Sequence, residues 1–297
     1  MHWEAIVRIQ INIIVGLLLG LATSQVFANS HTNFLYGQSI EETSAQFLTM
    51  PYCKSPLGEG ADGQFDQDPR CRFDKFDCQT YVETVLAMSR SDDHSSFERE
   101  MDLIRYHQGI VSFATRLHFS ETQWIPENEN RGYFTDITGS QSTCEEHEVT
   151  VNVSKWYQAK KHEDLNVACP AEDLLCNFQN QHFETPPTTA AFSYFPLEVL
   201  DGEFIKNIPS ETIILFVRKN DKPEVGATPI MVTHMGFVVG TFSGKVLRHA
   251  AYGDQVKDVN LQEYIDKFKL KSGAPTWASV GIKLLKPKSK STVNTSK

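Results

Sequence analysis

"IMVTHMGFVVGTFSGKVLRHAAY", residues 230–252, holds two β-branched and aromatic runs separated by "FSGK" at 242–245. Short apolar runs broken at a glycine-bearing turn read as a pair of strands, because an amphipathic helix would space its apolar residues three and four apart. "ETIILFVRK" at 211–219 and "ASVGIKLLK" at 278–286 have the same make-up, so the last third of the chain is a strand cluster.

Upstream the period changes. "SIEETSAQFLTM" (39–50) predicts a short helix with Ser39 as its N-cap. From Cys78 to Arg90 the apolar residues fall at 78, 82, 85 and 86, the stripe of an amphipathic helix. Ser95 or Ser96 is placed to cap a further helix through "FEREMDLIRYHQ" (97–108), with Gly109 after it as a C-cap glycine. Residues 110–140 read as extended and loop-like, and 141–185, polar and weakly periodic, as an insertion. Helices followed by strands predict an α+β fold, with N-terminal helices packed on a mainly antiparallel sheet or partial barrel. No internal repeat or linker divides the chain, so residues 29–285 are expected to form a single domain.

The 297 residues carry a formal charge of −9, although the last fifteen contain five lysines and no acid. An acidic body without a basic, aromatic-interleaved stripe excludes nucleic acid as the expected partner. The end of the chain, "KPKSKSTVNTSK" at 286–297, is too polar to pack and predicts a disordered basic tail. At the other end, residues 1–28 run apolar from Ile9 through "INIIVGLLLGLA" and finish "VFA", with Val26 and Ala28 at the small-residue positions of a cleavage site. This predicts a cleavable signal peptide and a periplasmic or secreted protein. The apolar stretch is short for a bilayer span of about 20 residues, so no stable membrane anchor is expected after cleavage.

Export places Cys53, Cys71, Cys78, Cys144, Cys169 and Cys176 where disulfides persist. Cys53 and Cys71 flank the Gly- and Asp-rich stretch "KSPLGEGADGQFDQDPR" (54–70), which a staple would steady, and two of Cys144, Cys169 and Cys176 are near enough in sequence to pair. Spacing does not determine the connectivity.

Cys78 has a second reading. It stands at a predicted helix start behind Asp77, and backbone N–H groups there favour a thiolate, so the thiol pKa is expected to fall. Asp77 is the expected N-cap. A nucleophilic cysteine needs a base and the base needs an orienting partner. His234 enters one predicted strand and His249 ends the next, and a hairpin would set the two imidazoles side by side. Against this, a buried or bridged Cys78 and two structural histidines describe a secreted, disulfide-stapled binding protein without catalysis. "CEEHE" at 144–148 lacks a second paired-ligand motif and reads as a solvated loop.

Helix-borne Cys, then strand-borne His, then a polar residue on the next strand resembles the layout of papain-like, NlpC-type cell-wall cysteine peptidases. "FDCQTYVETVLA", "TRLHFSETQWIPENENRGYFTDIT", "FSYFP", "VTHMGFVV", "LRHAAYG" with "LQEYI", and "VGIKLLK" occur in the order seen in the N-acetylmuramoyl-L-alanine amidase-like branch. That resemblance covers most of residues 75–285 and implies Cys78 as nucleophile, His234 as general base and His249 as its orienting group, with Asp254 competing for that last role. It further implies a monomeric enzyme without cofactor or metal, cutting the amide between the muramic lactyl group and L-alanine of peptidoglycan or a muropeptide. Other members of the superfamily cut the γ-D-glutamyl bond of the stem peptide. Around the site, Arg116 suits a substrate carboxylate, Trp124 a sugar or lactyl group, and His118, Tyr81 and Asp77 are further substrate-binding candidates. The family's Gly-Asp before the first core strand is replaced here by "SET" at 210–212.

Overall fold

The computed structural model describes residues 34–139, 143–168, 171, 173–180, 185–218, 231–269 and 279–289. The expected signal peptide and Cys169 lie outside the described residues. Among the described residues no helix is long and apolar enough to cross a membrane. The fold described below is that of the unit beginning at Tyr36.

Its first helix, α1 (Ile40–Ala45), begins at the predicted Ser39 cap, whose hydroxyl accepts from the Glu42 N–H while the Glu42 carboxylate returns to the Ser39 N–H. The second, α2 (Cys78–Ser89), begins at Asp77 in the same reciprocal way with Thr80. Asp93, not Ser95 or Ser96, caps α3 (His94–Arg105); Ser96 closes that box from the third position. The helix ends before Gly109, whose φ of +70° serves a separate turn.

Residues 110–140 are more helical than expected. A π-helical turn (Ser120–Trp124) runs straight into α4 (Ile125–Asn130), where Pro126 occupies the first turn, the one place its missing N–H costs nothing. Strand β1 (Phe134–Asp136) follows. The described parts of the polar segment 141–185 also form regular elements. Glu145–Glu148 of "CEEHE" are not a loop but the first residues of β2 (Glu145–Val151), paired with residues 188–194, and α5 (Val153–Gln158) and α6 (Leu174–Gln179) come after it. Their aromatic residues Tyr157 and Phe178 pack on Phe113 and Phe65. Alternating burial on a strand with one wet face hides this order from a search for helical periods.

The remaining elements are β3 (Thr188–Pro196), α7 (Gly202–Asn207), β4 (Thr212–Val217), β5 (Val232–Thr241), β6 (Gly244–Ala250), β7 (Val256–Asn260), α8 (Leu261–Lys269) and β8 (Gly281–Pro287). The eight strands form one sheet in the order β2-β3-β8-β4-β5-β6-β7, with β1 on β8. Every pairing is antiparallel. The sheet is open, with β2 and β7 at the ends of that order, so the partial-barrel alternative is set aside for a mixed helix-and-sheet fold. The packed chain continues through Pro287, past the start of the expected disordered tail; residues 290–297 lie outside the described set.

All six residues of β4 are buried, which explains its unbroken "TIILFV": the strand is covered on both faces. On one face Ile214, Phe216, Val238, Leu247 and Ile282 pack with Ile205 of α7 and Leu261 and Ile265 of α8. On the other, α2 lies against β5, with Tyr81 edge-on to Phe237 at 5.9 Å. Between sheet and α3, α2 buries every residue from Thr80 to Met88, not only the predicted stripe. Full burial of side chains such as Val82, Val85 and Leu86 contributes about 1.5–3 kcal/mol each.

Two local features aim β5. Its pairing with β4 slips between Phe216 and Val217, opposite His234, and such an irregularity re-aims the side chains beside it. Gly236 then lets β5 pass close to β6: a Cβ there would lie 2.7 Å from the Arg248 carbonyl oxygen and 2.9 Å from the His249 Cβ. The turn before β4 carries Glu211 at φ +62°, with its carboxylate accepting from the Glu41 N–H at 3.1 Å. Gly236→Ala is expected to destabilise the protein by about 1–3 kcal/mol, the usual range for overpacking, lowering the urea midpoint at unchanged m-value.

Candidate active site

The site begins with the Asp77 cap. Its carboxylate accepts from the Thr80 N–H at 2.8 Å and, across the chain, from the Ser55 N–H at 3.0 Å, tying the 54–70 loop to the start of α2. Cys78 is thereby the first residue of the helix. Its sulfur faces three backbone N–H groups, those of Met235, Gln79 and Cys78 itself. Met235 lies on β5, one residue beyond His234.

The expected drop in thiol pKa is corrected. Burial of the sulfur, then the charge of Asp77, pushes Cys78 up to about 12, and the three N–H groups pull the other way without prevailing. The resting group is a neutral thiol. Among the described residues it is in no disulfide, and neither are Cys53, Cys71 and Cys176, so the loop between Cys53 and Cys71 is not stapled by them. Cys144 donates to the Thr138 carbonyl at 2.8 Å.

His234 and His249 meet as the hairpin predicts. Nε2 of His234 lies 2.6 Å from Nδ1 of His249, with the rings nearly perpendicular at 79°. Burial, then the neighbouring His249, lowers His234 to about 3. His249 falls to about 4, by burial first and Lys257 second, with Asp258 and Asp254 opposing. Both rings are neutral at pH 7. Asp254, the rival third residue, pairs with Lys257 at 2.8 Å instead. His249 Nε2 is buried with no hydrogen-bond partner among the described residues.

Tyr264 of α8 completes the cluster, its ring centroid 5.4 Å from that of His249 and 6.2 Å from that of His234. Burial and then Cys78 push its hydroxyl up to about 12. Within "LQEYI" it is spaced like Leu261 and Ile265, so the sequence reads it as core.

Beside the helix start is a cavity of about 150 Å³, lined by Ser55, Asp77, Gln79, Arg105, Arg116 and His118 among others. Asp77, Arg116 and His118 thus come together as expected. Arg116 is not free, however: Nε donates to Glu59 at 2.8 Å and Nη2 to Asp66 at 2.9 Å. His118 is held through Nε2 at 2.8 Å from the Phe113 carbonyl, and burial followed by the Arg116 charge keeps it well below the usual imidazole range.

Two expectations fail on burial. Trp124 is fully buried against Phe134, and Tyr81 is fully buried with its hydroxyl on the Ser44 carbonyl at 3.1 Å, so neither offers a face to a ligand. The cavity also holds a buried ion pair that the sequence pattern does not reveal, Glu83 of α2 with Arg105 of α3 at 2.5 Å. A charged residue inside a predicted apolar stripe needs a partner but does not name it. Nor does the pattern reveal Tyr52 and Tyr252, ring centroids 5.1 Å apart, of which Tyr252 is 82% exposed. Burial, Asp77 and then Cys78 push Tyr52 up to about 12, which places it by the thiol.

Cys78 at the start of a helix and the paired histidines on the antiparallel sheet are the reactive side chains of the candidate site. The chain belongs to the AmiA-like family, described as N-acetylmuramoyl-L-alanine amidase-like, whose model matches residues 42–273. A Legionella pneumophila protein of the DUF1460 family has a similar crystal structure, at 28% identity and TM-score 0.76, covering 84% of this chain and 90% of its own. An N-acetylmuramoyl-L-alanine amidase from Bacteroides uniformis shares the fold at 20% identity and TM-score 0.63, covering 84% of this chain and 99% of its own. No curated protein sequence matches.

The histidine pair makes the protein acid-sensitive. Both folded-state pKa values lie below the unfolded value of about 6.5, so the unfolded chain takes up protons first as pH falls, and stability present above about 6.5 is lost towards pH 3–4. Thermal unfolding is expected to show a lower Tm at pH 5 than at pH 7.5, and His234→Phe is expected to shrink that difference. An equal difference in both proteins would place the acid-sensitive groups elsewhere.

Proposed function

We propose that the protein is a cysteine-dependent hydrolase of peptidoglycan fragments, acting outside the cytoplasm on the amide between the muramic lactyl carbonyl and L-alanine. The observation that carries this reading is the His234–His249 pair, set one residue from the backbone N–H that faces the Cys78 sulfur. Family membership and the fold likeness to a named amidase support the substrate class. The order of Cys on a helix and His on successive strands favours a papain-like, NlpC-type arrangement.

The hydrogen bond between the histidines admits two tautomer pairs, and the proposed chemistry uses the one in which His234 is the donor. With the His234 Nε2–H donated to His249 Nδ1, the His234 Nδ1 lone pair is left as base and His249 carries its proton on Nε2. Because the thiol and both imidazoles rest neutral, the proton leaves sulfur for His234 as sulfur attacks, with no standing thiolate. A new C–S bond forms, and the carbonyl electrons move to oxygen, which the N–H groups around the helix start hold. His234, now protonated and steadied by His249, gives its proton to the nitrogen of L-alanine as the C–N bond breaks. Water then loses a proton to His234, adds to the thioester, and releases the muramic carboxylic acid and the Cys78 thiol.

A substrate platform is available at Tyr252 beside Tyr52, in place of the buried Trp124. Exposed aromatic faces stack on sugar rings while exposing little polar surface to desolvation. Tyr252→Ala is expected to raise KM for a muropeptide severalfold with kcat nearly unchanged.

Digestion of purified muropeptides with mass analysis of the products tests the activity. Release of a free N-terminal L-alanine peptide and the unsubstituted muramic sugar is expected. Cys78→Ala is expected to abolish turnover, and His234→Ala to lower it by about 10²–10⁴. A product that keeps L-Ala-D-Glu on the sugar would instead identify a γ-D-glutamyl endopeptidase, and unchanged hydrolysis by Cys78→Ala would overturn the cysteine mechanism.

A further inference from the structure

Away from the cleft, the loop that leads into α2 meets the first turns of α3. Cys71 comes from the loop, and His94 and Glu98 lie one helical turn apart on α3, so both project from the same face. One donor atom from each of the three lies within 4.8 Å of the others, and His94 Nε2 stands 3.7 Å from Glu98 Oε1. Ligand atoms around tetrahedral zinc are roughly 3–4 Å apart, given metal–ligand bonds of about 2.0–2.3 Å. The half-exposed Glu98 side chain has the freedom to close that gap.

The surroundings also fit. His94 uses its other nitrogen, Nδ1, to bond the Tyr36 hydroxyl at 3.0 Å. Metal-binding histidines are held this way, because a partner on one nitrogen fixes the ring and directs the other at the ion. Phe73 and Phe97 flank the imidazole at ring-centroid distances of 6.1 and 5.8 Å, giving it an apolar backing. Cys71 is a free thiol and does not pair with Cys53.

We propose that Cys71, His94 and Glu98 form a zinc-type divalent metal site, with the fourth position left to water, that ties the loop before α2 to α3. A thiolate, an imidazole and a carboxylate are the donor set of zinc; calcium and magnesium would want oxygen alone. The thiolate and carboxylate together balance the ion's charge, and binding releases the Cys71 proton. The same loop carries Ser55 and Leu57, which line the cavity beside Cys78, so the metal steadies a wall of the candidate cleft without taking part in the chemistry.

The test titrates cobalt(II), then zinc, into the purified, reduced, metal-free protein carrying Cys78→Ser, so that the His234–His249 cluster has no thiol to offer. One equivalent of cobalt is expected to give a near-ultraviolet thiolate charge-transfer band that zinc abolishes, and zinc is expected to raise Tm. Adding Cys71→Ser should remove the band, His94→Ala should remove the zinc-dependent rise in Tm, and Tyr36→Phe should weaken binding about tenfold. Each variant's Tm without metal checks its folding. Binding that survives both Cys71→Ser and His94→Ala overturns the proposal, as does the absence of a thiolate band at millimolar cobalt. Isolation of the untreated protein with Cys53 and Cys71 joined in a disulfide would overturn it equally.

Discussion

The close passage of β5 over β6 at Gly236 is the constraint on which the candidate site depends. The pairing of Phe237 with Arg248 sets Gly236 opposite His249, and His234, two residues back along β5, projects from the same face. A Cβ at 236 would meet the Arg248 carbonyl oxygen, the His249 Cβ and the Leu247 side chain at 2.7, 2.9 and 2.9 Å, so a larger residue would push the two strands apart. Across that close pairing two imidazoles on a diagonal of the sheet come within 2.6 Å, and the slip in pairing between Phe216 and Val217 lies beside His234, whose ring also meets Phe216 and Tyr264. The 2.0-residue period of the strand places the two rings on one face, and the missing Cβ at 236 lets the strands that carry them pair without a clash.

Burial then sets the protonation state. Cys78, His234 and His249 are each shifted by desolvation towards the neutral form. The backbone N–H groups at the helix start do not reverse this for the thiol, because Asp77, which caps the helix, also repels the thiolate. The residue that builds the site mechanically therefore raises the cost of its ionisation. In such an arrangement the N–H groups serve better as donors to charge that appears on the substrate than as stabilisers of a resting thiolate.

The walls are built from parts of the chain that look unrelated. The 54–70 loop is fastened to α2 through Ser55 and Asp77, to the polar segment through the Asn166 N–H, which donates to the Phe65 carbonyl, and to the 110–120 region through Arg116 with Glu59 and Asp66. A guanidinium held by two carboxylates in a half-buried position is chiefly a cross-link. Its removal would leave two buried acids unpaired, a larger cost than the pair itself contributes. The segment at 141–185 covers this corner with Tyr157 and Phe178 and supplies the outer strand of the sheet.

The sequence by itself determined the local order: caps at Ser39 and Asp77, the helix from Cys78, the strands around 212–217, 232–250 and 281–287, and the hairpin that carries both histidines. Each of these is encoded by neighbours a few residues apart, through cap hydrogen bonds and the 3.6- and 2.0-residue periods. Only the tertiary structure decided that Trp124 and Tyr81 are core, that Tyr264 and the Glu83–Arg105 pair adjoin the site, that His249 displaces Asp254 as the partner of His234, and that the thiol rests protonated. Those outcomes depend on what packs against a residue from far along the chain and on how much water it excludes, and neither is written in the spacing of the sequence.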